Sequence, residues 1–364
     1  MDLELSDEQV WLEESINTLL DRRWPAAESA WQAGDAERAR LWESLVEFGV
    51  LGGAGTDLGA IELCLVARAA GGHLAAIPLL ASVAVRYALT PVVAELPAGF
   101  SDLLGSDARL AISLLEPGGG WSPSGVRTTV QANRLTGTKA AVEHASDVDH
   151  LVVVALVDGE PGLALVESGS PGLELAGQPS LDGAVPLRRV TFADAEVEAV
   201  VGGPLAETII DRLLRVGGLL AAAEAVGAAA NIFDQARSYA AERRQFGRTI
   251  GSNQALRHLM ADLHVRQASA WSTTLYAAAA LDQGIPEAPL TASVAKAYVS
   301  RAAREVAHGS MQVFGGIAFT EEHPAHRFLR RIILREQQFG DATHHERELG
   351  RTLVAGAVKE EVVA

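Results

Sequence analysis

The 364-residue chain has a single cysteine, Cys64. One cysteine excludes an intrachain disulfide and any cysteine-rich metal site. Cys64 itself reads as a small buried hydrophobe. Positive charge is also short: 30 Lys and Arg stand against 46 Asp and Glu, a formal net charge of −16. Non-specific nucleic-acid binding needs the opposite balance, so no nucleic-acid partner is expected. Small anionic ligands stay open, because one local arginine cluster can hold an anion on an acidic protein. The N-terminus, MDLELSDEQVW, lacks both a basic n-region and an apolar h-region. Charges interrupt the alanine-rich runs before about 20 apolar residues accumulate. The expectation is a cytoplasmic protein with no secretory signal and no membrane insertion.

What is present falls into three stretches. Residues 1–108 read as an N-terminal helical domain. Ser6 and Gln9 have capping-box spacing, and Asp7 and Glu8 suit the positive end of a helix dipole. Leu41, Trp42, Leu45 and Phe48 share a second helix that stops at Gly49. A glycine-rich turn at Gly52–Gly59 precedes helical segments at Ile61–Ala70 and Leu79–Ala88. Residues 109–203 read as a central β domain, a small barrel or sandwich. Short β-rich runs at Leu110–Leu115, Val126–Val130, Leu151–Val157, Leu163–Val166 and Val185–Phe192 are separated by Gly, Pro, Asp and Asn. Asn133–Lys139 (NRLTGTK) reads as a turn and the strand after it. Residues 204–364 read as a C-terminal four-helix bundle, with breaks near Thr249–Ser252, Asp282–Pro289 and Gly315–Gly316. Gly217, Gly218, Gly227 and many alanines would let its helices approach closely. The fold class is therefore α+β.

Two local patterns carry chemistry. The run Glu242-Arg243-Arg244-Gln245-Phe246-Gly247-Arg248 closes one long helix, and Gln254 begins the next. An arginine fork can grip phosphate oxygens bidentately, and a glutamine amide can both donate and accept. Taken alone, the run is equally a dipole-matched, solvated helix end. The second pattern, Gln312-Val313-Phe314-Gly315-Gly316, follows another long helix, and its paired glycines let backbone come close to a ligand. Alone it is a helix stop. The order RxxFG, then a Gln eleven residues after the Arg, then QxFGG is far more specific than either part.

In that order the residues resemble the acyl-CoA dehydrogenase family. Leu41–Gly53 (LWESLVEFGVLGG) looks like its first-domain helix and turn. Leu115-Glu116-Pro117-Gly118-Gly119-Gly120 looks like its Thr-Glu-Pro-Gly-x-Gly loop, Thr136-Gly137-Thr138-Lys139 like its Gly-x-Lys strand, and Thr191-Phe192-Ala193-Asp194 like its last β strand. The resemblance covers most of the chain. It implies FAD as cofactor and an acyl-CoA thioester as substrate. The reaction it implies is α,β-dehydrogenation, in which a carboxylate takes the α-proton and the flavin takes the β-hydrogen as hydride. It also implies that Arg243, Phe246, Gln254, Gln312, Gly315 and Gly316 hold the pyrophosphate and adenosine part of a flavin bound mainly in a neighbouring subunit. An electron-transfer flavoprotein-type acceptor follows from the same resemblance.

Other family features are missing. Aligned through Pro324, Arg330 and Gly340, the usual base position falls on Phe339, which cannot accept a proton. The alternative base position, on the first long helix of the last domain, falls near Gly217. Glu224 and Glu143 are the substitutes to consider, while Glu336 and Asp341 read as solvated carboxylates. The family's hydroxyl before Glu-Pro corresponds to Leu115, and its Trp-x-Thr beside the flavin ring corresponds to Ala141-Val142-Glu143. The chain thus resembles the base-lacking subunit of a heteromeric, α2β2 dehydrogenase of the kind that acts on bulky, steroid-side-chain-like acyl-CoA substrates. Two other readings remain: a self-sufficient homo-oligomeric enzyme with a non-standard base, and a non-catalytic structural paralogue. Arg327, Arg330, Arg331 and Arg335 could steer CoA phosphates or form an ion-paired helix. His323, His326, His344 and His345 lack the Asp, Glu or Cys spacing of a metal site, so none is expected.

Overall fold

The computed structural model describes residues 3–27, 29–51 and 58–363. Ten helices and ten strands run along the described chain. They divide between two compact units: Met1–Trp31, Ala60–Ala75 and Gly218–Ala364 form one, and Gln32–Gly59 and Ala76–Gly217 the other.

The first unit is helical. Helix α1 (Asp7–Arg23) opens with the expected capping box, Ser6 and Gln9 each bonding the other's backbone N–H. In the other unit, α2 (Asp35–Phe48) ends at Gly49, whose φ of 86° is the left-handed stop that glycine adopts without strain. The glycine-rich turn read at Gly52–Gly59 falls mostly on residues 52–57, outside the described residues. Helix α3 (Ala60–Gly72) returns to the first unit, where Asp282 caps its first turn by accepting from the backbone N–H groups of Ala60 and Ile61. Helices α4 (Leu79–Leu89) and α5 (Ala98–Asp102) precede the sheet of the second unit.

That sheet contains β1 (Leu110–Ser113), β2 (Thr129–Gln131), β3 (Arg134–Glu143), β4 (His150–Val157), β5 (Glu160–Glu167), β6 (Leu173–Gln178), β7 (Leu187–Glu196) and β8 (Ala199–Val201). Its order is β6-β7-β3-β2-β4-β5-β8, with β1 parallel to β4. Leu135, Val142, Leu151, Val153, Val166, Val190 and Phe192 form the buried core on it. Ala132 and Asn133, at φ 46° and 61°, make the two-residue turn that joins β2 to β3. The run Val126–Val130 is strand only from Thr129. The N–H groups of Arg127 and Thr128 point instead to the carboxylate of Glu116, which removes them from any ladder.

Helix α6 (Gly203–Glu242) spans 40 residues, about 60 Å of rise. It contains the one window among the described helices that is long and apolar enough to cross a membrane, and 89% of that window is buried inside the protein. A short hairpin, β9 (Arg244–Gln245) with β10 (Arg248–Thr249), leads to α7 (Gln254–Asp282), α8 (Ala288–Phe314), α9 (Ala325–Gln337) and α10 (Ala342–Val363). Glycine sets two close approaches in the first unit. A Cβ on Gly227 of α6 would stand 1.8 Å from the Arg68 carbonyl oxygen of α3, and one on Gly71 would stand 2.0 Å from that of Glu224. The helices touch backbone to backbone there, as the small residues of the sequence imply.

Candidate flavin and acyl-CoA site

The residues of the two sequence patterns converge at one end of the helical unit. Arg243 follows the last residue of α6, and its carbonyl accepts from the Ile250 N–H, which folds the hairpin back on the helix end. Gly251 sits so near the Ala240 carbonyl that a Cβ would approach it to 2.7 Å. Asn253 caps α7 by accepting from the Ala255 N–H, which places Gln254 in the exposed first turn. Tyr239, one turn before Arg243, packs on Phe314 with ring centroids 5.4 Å apart. That contact brings the end of α8, with Gln312, Gly315 and Gly316, beside the end of α6. Gly315 has φ 70° and ψ −143°, a backbone state reserved for glycine. The side chains of Arg243, Gln254 and Gln312 are exposed. They form no side-chain hydrogen bond or ion pair among the described residues. Phe246, at the hairpin tip with φ 52°, is fully exposed.

Phe339, on which one family base position falls by alignment, packs close to Gly218, the neighbour of Gly217. A Cβ on Gly218 of α6 would meet the Cβ of Phe339 at 3.7 Å and the Cγ of Lys296 at 3.9 Å. Phe339 is buried, in a left-handed turn with Gly340 (φ 55° and 97°) between α9 and α10. Four bonds fix that turn. Asp341 accepts from the His344 N–H, and His345 Nε2 lies 2.9 Å from the Phe339 carbonyl. Lys296 donates from Nζ to the carbonyls of Arg335 and Glu336 at 2.7 and 2.9 Å, capping the end of α9. Burial pushes the Lys296 ammonium down to about 7. Burial, and then the charge of Lys296, push the His345 imidazole down to about 4, so that ring is neutral at pH 7 and donates to the carbonyl.

Glu224 is also in this unit, fully buried but committed elsewhere. Its Oε1 accepts from Arg331 Nη1 at 2.9 Å and lies 2.9 Å from Arg335 Nε. Arg331 in turn donates to the carbonyls of Ala75 and Leu74. Arg327 lies over the Trp31 ring and donates to the Glu321 carbonyl. Arg327, Arg331 and Arg335 are thus the buried, partnered stripe of α9, and only Arg330 of the four is exposed. The arrangement is that of an ion-paired helix rather than a CoA-steering surface. Glu336, read from sequence as solvated, is buried. It pairs with Arg304 at 3.1 Å, and burial raises its carboxyl. Asp341 serves as a helix cap. Among the described residues, no three His, Cys, Asp or Glu are grouped to hold a metal ion.

In the β unit, Leu115 and Ala141 lie beside an ion pair that joins the Glu-Pro-Gly loop to the Gly-x-Lys strand. Glu116 accepts from Lys139 Nζ at 2.9 Å, Thr128 Oγ1 at 2.7 Å, and the backbone N–H groups of Thr128 and Arg127. Burial alone would raise its carboxyl, but those bonds together hold it at about 2. Burial lowers Lys139, which Glu116 holds charged. Ala141 sits in a β-bulge at φ 52°, its N–H donated to Gln178 Oε1 at 2.6 Å. Glu143, the other substitute base, ends β3, half-buried and paired in register with Leu187.

Comparison with known proteins agrees with these motifs. Residues 207–352 match the acyl-CoA dehydrogenase C-terminal domain. Acyl-CoA dehydrogenase FadE27 of Mycobacterium tuberculosis is 29% identical over 342 residues, 86% of this chain and 87% of that protein. The mitochondrial short-chain specific acyl-CoA dehydrogenase of Bos taurus is 31% identical over 260 residues, 67% of this chain and 61% of that one. A chain of the ChsE4–ChsE5 complex of Mycobacterium tuberculosis superposes with a TM-score of 0.85 at 25% identity, covering 97% of this chain and 99% of that one. The chain belongs to the acyl-CoA dehydrogenase family. A second solved relative, the Tcur3481–Tcur3483 steroid acyl-CoA dehydrogenase variant, gives 0.84 at 26% identity over the same shares.

Acyl-CoA dehydrogenase chemistry needs a flavin grip, a ring pocket and a base, and this chain is uneven in all three. The gripping end fits an FAD pyrophosphate: free arginine and glutamine side chains stand beside a glycine pair, of which Gly315 holds a backbone that only glycine adopts. Phe339, the residue that the motif alignment sets at the base position, is a buried aromatic ring that cannot accept a proton. Sequence reasoning missed the Glu116–Lys139 pair and Lys296. The first could have been found from a Glu and a Lys each facing inward in a β unit. Nothing local marks Lys296, which reads as one more exposed helix lysine.

Proposed function

We propose that this chain is the flavin-gripping, base-lacking subunit of an FAD-dependent acyl-CoA dehydrogenase. It would pair with a paralogous chain that carries the base, in an α2β2 assembly. One observation carries the reading: the position on which one family base falls is filled by the buried Phe339, the other falls near Gly217, and the gripping residues stay exposed and unpaired among the described residues. In this reading Arg243 binds the pyrophosphate oxygens by charge-assisted bonds. Gln254 and Gln312 bond the polar edges of the adenosine half. Gly315 and Gly316 admit the phosphates close to backbone. When bound, FAD supplies the hydride acceptor for the β-hydrogen of the acyl-CoA. The α-proton goes to the partner's carboxylate, since Glu224 is already held by two arginines. The similarity to steroid-acting and two-chain relatives supports a bulky acyl-CoA substrate, and an electron-transfer flavoprotein-type acceptor fits the same chemistry.

Flavin stoichiometry tests the reading. The chain purified alone should carry no FAD, and the chain co-expressed with its paralogue about one FAD per pair. Arg243→Ala in that complex should weaken FAD retention at least about tenfold. One FAD per chain in the chain alone would establish a self-sufficient enzyme, with Glu143 the first residue to replace. Unchanged FAD retention in Arg243→Ala would leave a structural paralogue.

A further inference from the structure

The gripping residues come from two helix ends separated by about seventy positions of sequence, so something must hold those ends in register. Phe314 is the centre of a three-ring stack. Tyr239 of α6 packs on one side at 5.4 Å and 53°, and His323 packs on it at 4.4 Å and 58°. Tyr239 is one turn from Arg243, Phe314 adjoins Gly315, and His323 lies past the Gly315–Phe319 turn. His323 is fixed in its own loop, where its Nδ1 accepts from the Ala325 N–H. The stack thus bridges α6, α8 and the loop into α9 at the level of the flavin grip. Tilted aromatic pairs hold a defined geometry at small entropic cost, because each ring has only two side-chain torsions.

Resting on the functional reading above, we propose that Tyr239, Phe314 and His323 are positioning residues that set the distance between Arg243 and the Gly315–Gly316 backbone, and so preform the phosphate grip. They act through ring packing and touch no phosphate. Misplacing one gripping group by about 1 Å loses much of a charge-assisted bond, so disordering the stack should lower FAD affinity about tenfold.

The test uses the FAD-loaded assembly, whether this chain's own oligomer or its complex with a paralogue, titrated with FAD after flavin removal. Tyr239→Phe, which keeps the ring, should bind FAD as the unaltered chain does. Tyr239→Leu and Phe314→Leu should each bind about tenfold more weakly while retaining helical content and assembly. Equal losses in Tyr239→Phe and Tyr239→Leu would overturn the proposal, because the hydroxyl rather than the ring would then be acting. Unchanged affinity in both leucine variants would overturn it too. Arg243→Ala in parallel separates the two ideas. Loss in Arg243→Ala with none in the leucine variants rejects the stack and keeps the grip; no loss in Arg243→Ala rejects the grip itself.

Discussion

Glu116 and Glu224 are both buried acids in ion pairs, yet they serve different ends. Glu116 joins the Glu-Pro-Gly loop to β3 through Lys139 and through backbone donors. Because its folded carboxyl sits near 2, below the ordinary 4.5, its stabilisation is complete above about pH 4.5 and is lost as pH falls toward 2. Acid unfolding monitored by circular dichroism should steepen in that window, and the steepening should shrink in Glu116→Gln. That variant should also lose about 3 kcal/mol near neutral pH in urea melts, since it strands Lys139 in the interior. Glu224→Gln should cost about 4 kcal/mol by the same logic, stranding Arg331 and Arg335. A catalytic Glu224 would give the converse, with turnover lost and stability kept. The proposed gripping residues stand out in the sequence because their order along the chain is itself the signal. The partners of Glu116, 11 to 23 residues away, were hidden because pairing of that kind is decided by the sheet.

At the scale of elements, local chemistry was read more easily than exposure. The Ser6 cap, the Gly49 stop and the break before Gln254 stand where side-chain and backbone preferences place them. Strand β6 escaped notice because its residues, LELAGQ, lie mostly exposed and show no apolar alternation. The stripe of α9 was ambiguous for a related reason: arginines four residues apart look alike whether they face solvent or carbonyls. The α3–α6 crossing gives the clearest element-level expectation. Gly227→Ala places a methyl 1.8 Å from a backbone oxygen that cannot rotate away, so α3 must move. A loss of about 3 kcal/mol or more should appear in thermal melts. Gly316→Ala, where nothing lies within 4 Å, should leave the melting temperature within about a degree.

For the molecule as a whole, the large exposed apolar residues include two beside the proposed flavin grip. Phe246 is fully exposed and Phe319 is 77% exposed, both on the turns that carry the grip. In the proposed two-chain assembly these residues would lie against the partner. Phe246→Ser should therefore weaken assembly with the paralogue in analytical ultracentrifugation while leaving the fold intact.

The Phe339–Gly340 turn has a consequence for descent. Its left-handed main chain is fixed by the Lys296 cap, the Asp341 cap and the His345 bond, none of which involves the phenyl ring. A carboxylate substituted at position 339 would meet a backbone already shaped to present it and a buried amine close by. On the proposed reading, the chain would have given up a side chain and kept the architecture that displayed it, a change open to reversal.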